Sequence, residues 1–177
     1  MSVRDFSVTV KPQNSKSKVL MLVFLALAFL LVSVSFFLES YKGVVGVGAV
    51  LSLTTAILIY TKYVTAIFHY DIIAEGEDEP IFVVRQTVGR RNVTLARIAF
   101  RDIEKIEKET LSERRAHKSD SSVMKYAYMP TLAPEISYRI TAKIGEQKSE
   151  IVIEGSDEFA EMIMNIANTA KDSYTEE

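Results

Sequence analysis

Read for hydrophobic and polar positions, the chain falls into three patterns. The first is unbroken apolarity. Residues 19–38 (VLMLVFLALAFLLVSVSFFL) hold no charge, and their only polar members are Ser33 and Ser35. As a helix this run is about 30 Å long, the thickness of a bilayer's hydrocarbon core. A signal peptide has a shorter apolar stretch and ends at a small-residue cleavage site, which SFFLESYK does not offer. Residues 44–60 (VVGVGAVLSLTTAILIY) form a second uncharged run, extending into Thr61, and only residues 39–43 separate the two. Five residues cannot recross a membrane, so the pattern predicts a tight antiparallel transmembrane hairpin at 19–61, with helices near 19–38 and 44–61. Gly48, Ser52 and Ala56 recur at spacing four and make a smooth ridge that lets helices approach closely in lipid. The simplest use of that ridge is to pack the hairpin.

The second pattern has a period of two. Val64, Ala66, Phe68, Tyr70 and Ile72 alternate with Thr65, His69 and Asp71. Glu75, Glu77, Asp78 and Glu79 then mark an acidic turn before a strand at 81–87, a hairpin connection at 89–92 and a return strand at 94–100. Residues 101–115 are ambiguous; the reading is a turn, a strand near 103–109 and a polar loop, with a surface helix as the competitor. Residues 126–129 suggest a short strand. Between Glu135 and Ile144 the alternation is complete, with Ile136, Tyr138, Ile140, Ala142 and Ile144 inward and Ser137, Arg139, Thr141 and Lys143 outward. Residues 148–154 close another hairpin. One apolar face per strand implies antiparallel sheet, wet on its other side.

The third pattern is helical. Phe159, Met162, Ile163, Ile166 and Ala167 share one face of a helix expected from Asp157 to Lys171, with Ser156 as its N-cap.

Charge supplies orientation. The 1–18 tail carries Arg4, Lys11, Lys16 and Lys18 against Asp5 alone, while the inter-helix loop has one Glu and one Lys. By the positive-inside rule the tail is cytoplasmic, and the second helix returns residues 63–177 to the cytoplasm. Lys62 and the interfacial Tyr60 and Tyr63 agree with that end. The expected location is the plasma (inner) membrane, with both termini cytoplasmic. The whole chain has 177 residues, 48% hydrophobic, with a net charge of -2 and no cysteine. Disulfides and thiolate zinc sites are therefore excluded. Residues 63–177 hold 15 basic and 21 acidic residues, which argues against nucleic-acid binding.

The segment VTLARIAFRDIEKI (93–106), the ending IVIEGSDEFAEMI (151–163) and the hairpin at 19–61 carry a family resemblance. Leu95, Arg97, Ile98, Phe100, Asp102 and Ile103 fit an L-x-R-I-x-(apolar)-x-D-I pattern, and Ser156, Glu158 and Phe159 fit the start of a last helix. Across about residues 19–171 the chain resembles the small bacterial PH-domain (pleckstrin-homology-like) membrane proteins. The resemblance implies a membrane-anchored α+β fold: a transmembrane helical hairpin, then a PH-like, partly open antiparallel β-barrel capped by a C-terminal helix. Phosphoinositide-binding PH domains cluster cations in the loop after their first strand. The acidic residues at 75–79 would repel a phosphorylated headgroup.

Candidate chemistry is sparse. Arg85, Arg90, Arg91, Arg97 and Arg101 gather around one predicted hairpin and could meet anionic headgroups or pair with nearby acids. His69 and His117, the only histidines, lack neighbours for a shared metal. Glu104, Glu107, Glu109 and Glu113 alternate with basic residues, as on a wet face. No phosphate loop, nucleophile elbow or zinc-binding helix motif is present, so no cofactor is expected. The expectation is a non-catalytic protein whose partners are the lipid bilayer and either a second copy or an unidentified protein. The alternatives are anionic-lipid binding through the arginine hairpin and an accessory role to a membrane enzyme or transporter.

Overall fold

A computed structural model of the chain describes residues 6–12, 15–73, 80–117, 122–145 and 147–175. The acidic residues Glu75, Glu77, Asp78 and Glu79 lie outside these. Two compact units result: one is Pro12–Ala66 with Pro130–Leu132, the other holds the strands and the C-terminal helix.

The helical unit contains α1 (Ser15–Ser35) and α2 (Lys42–Ile59), joined through a 3-10 turn at Glu39–Tyr41. Both are long and apolar enough to cross a membrane. Core helices of soluble proteins pass the same test, but they are mostly buried, whereas the apolar windows here are only 11% and 17% buried. Val23, Phe29, Leu30, Val47 and Leu51 stay more than half exposed. The helices touch along small residues: Ala28, Ala49, Ser52 and Ala56 are buried, and the Ser52 hydroxyl donates to the Phe24 carbonyl at 2.8 Å. α1 starts four residues before the first apolar residue, because Ser17 is buried and its hydroxyl donates to the Tyr63 carbonyl at 3.2 Å. α2 continues into a π turn at Tyr60–Val64, closed by the Thr65 amide donating to the Tyr60 carbonyl at 3.0 Å. Val64 and Thr65, expected to open a strand, belong to this turn and its cap.

The second unit has two four-stranded sheets. In the first, β1 (Phe6–Val10), β2 (Ile67–Ile73), β3 (Ile81–Val88) and β4 (Arg91–Ala99) lie in that order, all antiparallel. The N-terminal tail is thus part of a sheet. Phe6, Val8 and Val10 alternate with Ser7 and Thr9, a strand pattern too short to stand out beside the long apolar run that follows. Hydrogen-bonded strands cannot sit across a hydrocarbon layer about 30 Å thick from each other. Residues 6–10 and 67–73 therefore share one side of any membrane that α1 and α2 cross. The β3–β4 turn is Gly89–Arg90, with Gly89 at φ 60°, the sign a glycine-first two-residue hairpin requires.

The second sheet has the order β5-β7-β8-β6, from β5 (Ile103–Thr110), β6 (Met124–Tyr128), β7 (Ile136–Ile144) and β8 (Gln147–Ile153). β6 runs parallel to β8, so the expectation of a wholly antiparallel fold fails there. The strands also do not close into a barrel. β4 ends at a 3-10 turn, Phe100–Asp102, beyond which β5 enters the other sheet, and among the described residues no ladder joins the two. Where a polar loop was expected, α3 (Leu111–Ala116) forms. Its signal is a capping box: the Glu113 amide donates to the Thr110 hydroxyl at 3.3 Å, and the Thr110 amide donates to the Glu113 carboxylate at 2.7 Å.

The core lies between the sheets. Phe68, Tyr70, Ile72, Phe82, Val84 and Ile98 come from the first, and Ile140, Ile151 and Ile153 from the second. The buried Tyr70 hydroxyl donates to the Tyr128 carbonyl at 2.6 Å and accepts from the Glu154 amide at 3.3 Å, tying the sheets together. Helix α4 (Asp157–Thr175) covers this core with Phe159, Ile163 and Ala167. Its start matches the expectation: the Ser156 hydroxyl accepts from the Phe159 amide at 3.3 Å. Asp157 accepts from Lys108 Nζ at 2.7 Å and from the Tyr138 hydroxyl at 2.8 Å, and these bonds hold its carboxyl below the usual range. Burial, helped by Asp157, pushes the Tyr138 phenol up to about 12.

Candidate functional site

The five arginines differ in their partners. Arg85 on β3 donates from Nε to Asp71 at 2.6 Å, and that hydrogen bond raises its already high pKa. Asp71 is buried, and its second oxygen, Oδ1, has no hydrogen-bond partner among the described residues. Arg101 sits in the 3-10 turn with Nε 3.9 Å from Asp102. Arg97 faces Val83 across the ladder, some six residues or about 20 Å along β4 from Arg91. Only Arg90 and Arg91 are adjacent, at the exposed β3–β4 turn. Among the described residues, Arg90, Arg91 and Arg97 have no carboxylate partner.

The ridge residues face α1. A Cβ on Gly48 would meet Leu31 Cδ1 at 3.5 Å, an ordinary contact, and Ser52 and Ala56 are buried.

A larger cluster lies on the face of the second sheet turned away from the core. The alternation of β7 suggested a wet face, yet Ser137, Arg139 and Thr141 are buried. Strand order supplies the reason. β5 and β6 are the two outer strands, so the chain between them must cross the sheet, a span of about 14 Å over three strand spacings. At His117 it reaches toward β8, where the imidazole Nε2 lies 3.2 Å from Glu150. Beneath this crossover Arg139 pairs with Glu109 and lies 3.9 Å from Glu150. Arg114 donates to the Ser137 hydroxyl at 2.8 Å and to the Pro134 carbonyl at 3.2 Å. Ser137 in turn donates to Glu109 at 3.4 Å.

Two carboxylates thus share one buried guanidinium, with His117 against Glu150 and Arg114 linked to Glu109 through Ser137. Ser137 contacts Arg114 and Glu109, not His117, so serine and imidazole are not joined as a nucleophile and its base. Among the described residues no group of three metal-binding side chains forms. His69 instead shares a hydrogen bond with the Thr9 hydroxyl at 3.0 Å. The network's chemistry is that of a fastening between crossover and sheet. Arg114, Arg139 and Glu150 were not singled out in the sequence, because a polar position in an alternating strand signals solvent until the strand order shows what passes over it.

No family model matches the chain, and comparison with curated proteins finds no match.

Proposed function

We propose that this chain is a membrane-anchored, non-catalytic protein whose helical hairpin holds a PH-like two-sheet domain at the cytoplasmic face. There the domain binds protein, in the first instance another copy of itself. The observation that carries the anchoring is the exposure of large apolar side chains on both helices, which water would not tolerate and lipid would. The PH-like reading is supported by the succession of two packed sheets and a C-terminal helix, with Phe159 buried against the first sheet. The parallel β6 and the strand contributed from before the hairpin are departures from that pattern. Lys11, Lys16, Lys18 and Lys62 lie near the start of α1 and the end of α2, which favours a cytoplasmic placement of those ends.

Binding is supported by the unclosed sheets. β6 is an outer strand, exposed from Met124 to Ala127, and Tyr126 stacks on Tyr128 at 5.8 Å. Such an edge offers unpaired backbone groups and apolar side chains to an incoming strand. Anchoring raises the local concentration, so a weak edge contact suffices. In nanodiscs loaded at several chains per disc, chemical crosslinking of the full chain should yield a dimer, and Met124→Glu with Tyr126→Glu should abolish it. A strict monomer, or a dimer indifferent to those changes, contradicts the reading.

A further inference from the structure

The register of the first sheet shows which charges share the sheet end from which the chain leaves for the helices. At one end Val10 pairs with Phe68, and Ile67 pairs with Thr87; the Gly89–Arg90 turn follows Thr87 directly. The same end leads into both helices. Only Thr65 and Ala66 separate Ile67 from Val64, so the covalent chain alone keeps Ile67 within about 11 Å of Val64. Arg90 and Arg91 therefore belong to the end of the sheet that the chain tethers to the helices. Lys11 is exposed and directly follows β1 at the same end.

The segments that lead into this end carry no acid: residues 6–38, 40–70 and 80–101 contain no Asp or Glu at all. Their cations give the tethered end a positive charge, although residues 63–177 as a whole are acidic, and an anionic surface would attract it.

We propose that Arg90 and Arg91 bind the phosphate groups of anionic phospholipids in the leaflet next to the sheet, with Lys11 as a flanking cation. The proposal rests on the anchoring read above. It makes the hairpin turn a lipid contact that sets the domain's orientation, separate from the outer strand β6 offered to protein. Guanidinium groups suit this task, because their planar fork matches phosphate oxygens in pairs.

The test uses the full chain in nanodiscs of phosphatidylcholine containing spin-labelled phosphatidylglycerol or spin-labelled phosphatidylcholine. The unmodified chain should select the anionic label, less so as salt rises. Arg90→Glu with Arg91→Glu should lower that selectivity by about fivefold or more, the equivalent of at least one cation at the surface. Arg97→Glu, farther along β4, should leave it unchanged. Selectivity that survives the double change, or falls equally with Arg97→Glu, overturns the proposal. Loss of selectivity on adding inorganic phosphate, but not chloride of equal ionic strength, would transfer the site to a soluble anion and likewise overturn it. A chain that fails to enter the discs overturns the anchoring itself, whereas a chain that enters without selectivity overturns only the lipid contact.

Discussion

Arg139→Ala is expected to destabilise the strand unit by about 3–5 kcal/mol, the usual cost of removing one member of a buried charge pair. Arg139 is 7% exposed, and its two acidic neighbours, Glu109 and Glu150, are 5% and 9% exposed. Without the guanidinium both carboxylates remain under the crossover with too little compensation. His117 reaches only Glu150, and Arg114 reaches Glu109 only through Ser137. The coupled change Arg139→Met with Glu109→Leu should recover much of the loss, because replacing both partners by apolar groups of similar volume removes the charge along with its partner. Denaturant melts of the full chain in detergent, followed by a signal from the strands, measure both. A loss below about 1 kcal/mol for Arg139→Ala would mean that water reaches the pair, as at an exposed ion pair, and that residues 111–117 do not seal that face.

Phe159→Ala should cost about as much, roughly 3–5 kcal/mol, by the transfer and cavity terms for a buried phenyl ring. Phe159 is 3% exposed, and its ring centroid lies 6.0 Å from Phe6, 6.2 Å from Tyr70 and 6.4 Å from Phe82. The effect has a location as well as a size. β1 pairs with one neighbour only, so Phe6 stacked on Phe159 is a large part of what holds its side chains. Hydrogen exchange at residues 6–10 should accelerate more than exchange in β3. Uniform acceleration across the sheet would show that β1 is held by its ladder alone. Phe159→Leu, which keeps most of the volume, should cost far less.

Much of this architecture could be read from residue patterns. The two apolar runs, the strands at 81–88 and 103–110, the β7–β8 hairpin and the N-cap at Ser156 all depend on signals within about ten residues. The failures share a different cause. β1 is a five-residue strand whose partner lies some sixty residues away, beyond both helices. The crossover network depends on strand order: Ser137 and Arg139 carry the alternation of a wet face, and only the placement of β6 at the far edge shows that chain passes over them. The reading of residues 101–115 rested on their sparse apolar positions, and the capping box at Thr110 and Glu113 did not enter it. The arginines illustrate the same limit. Sequence grouped five of them, whereas pairing with Asp71 and the approach of Asp102 set Arg85 and Arg101 apart and left Arg90 and Arg91 together at the turn.

The central claim is that α1 and α2 form a membrane hairpin with β1 and the remaining strands on one side. Because the chain has no cysteine, single thiols can report each position. Ser7→Cys, Tyr41→Cys and Asn92→Cys, each at an exposed position, would be treated with a membrane-impermeant maleimide in sealed vesicles of both orientations. With the hairpin in the membrane, the thiols at 7 and 92 react in the same vesicles, those exposing the cytoplasmic face, while the thiol at 41 reacts only in the opposite ones. Reaction of 7 and 92 from opposite sides, or of all three from one, would contradict that claim.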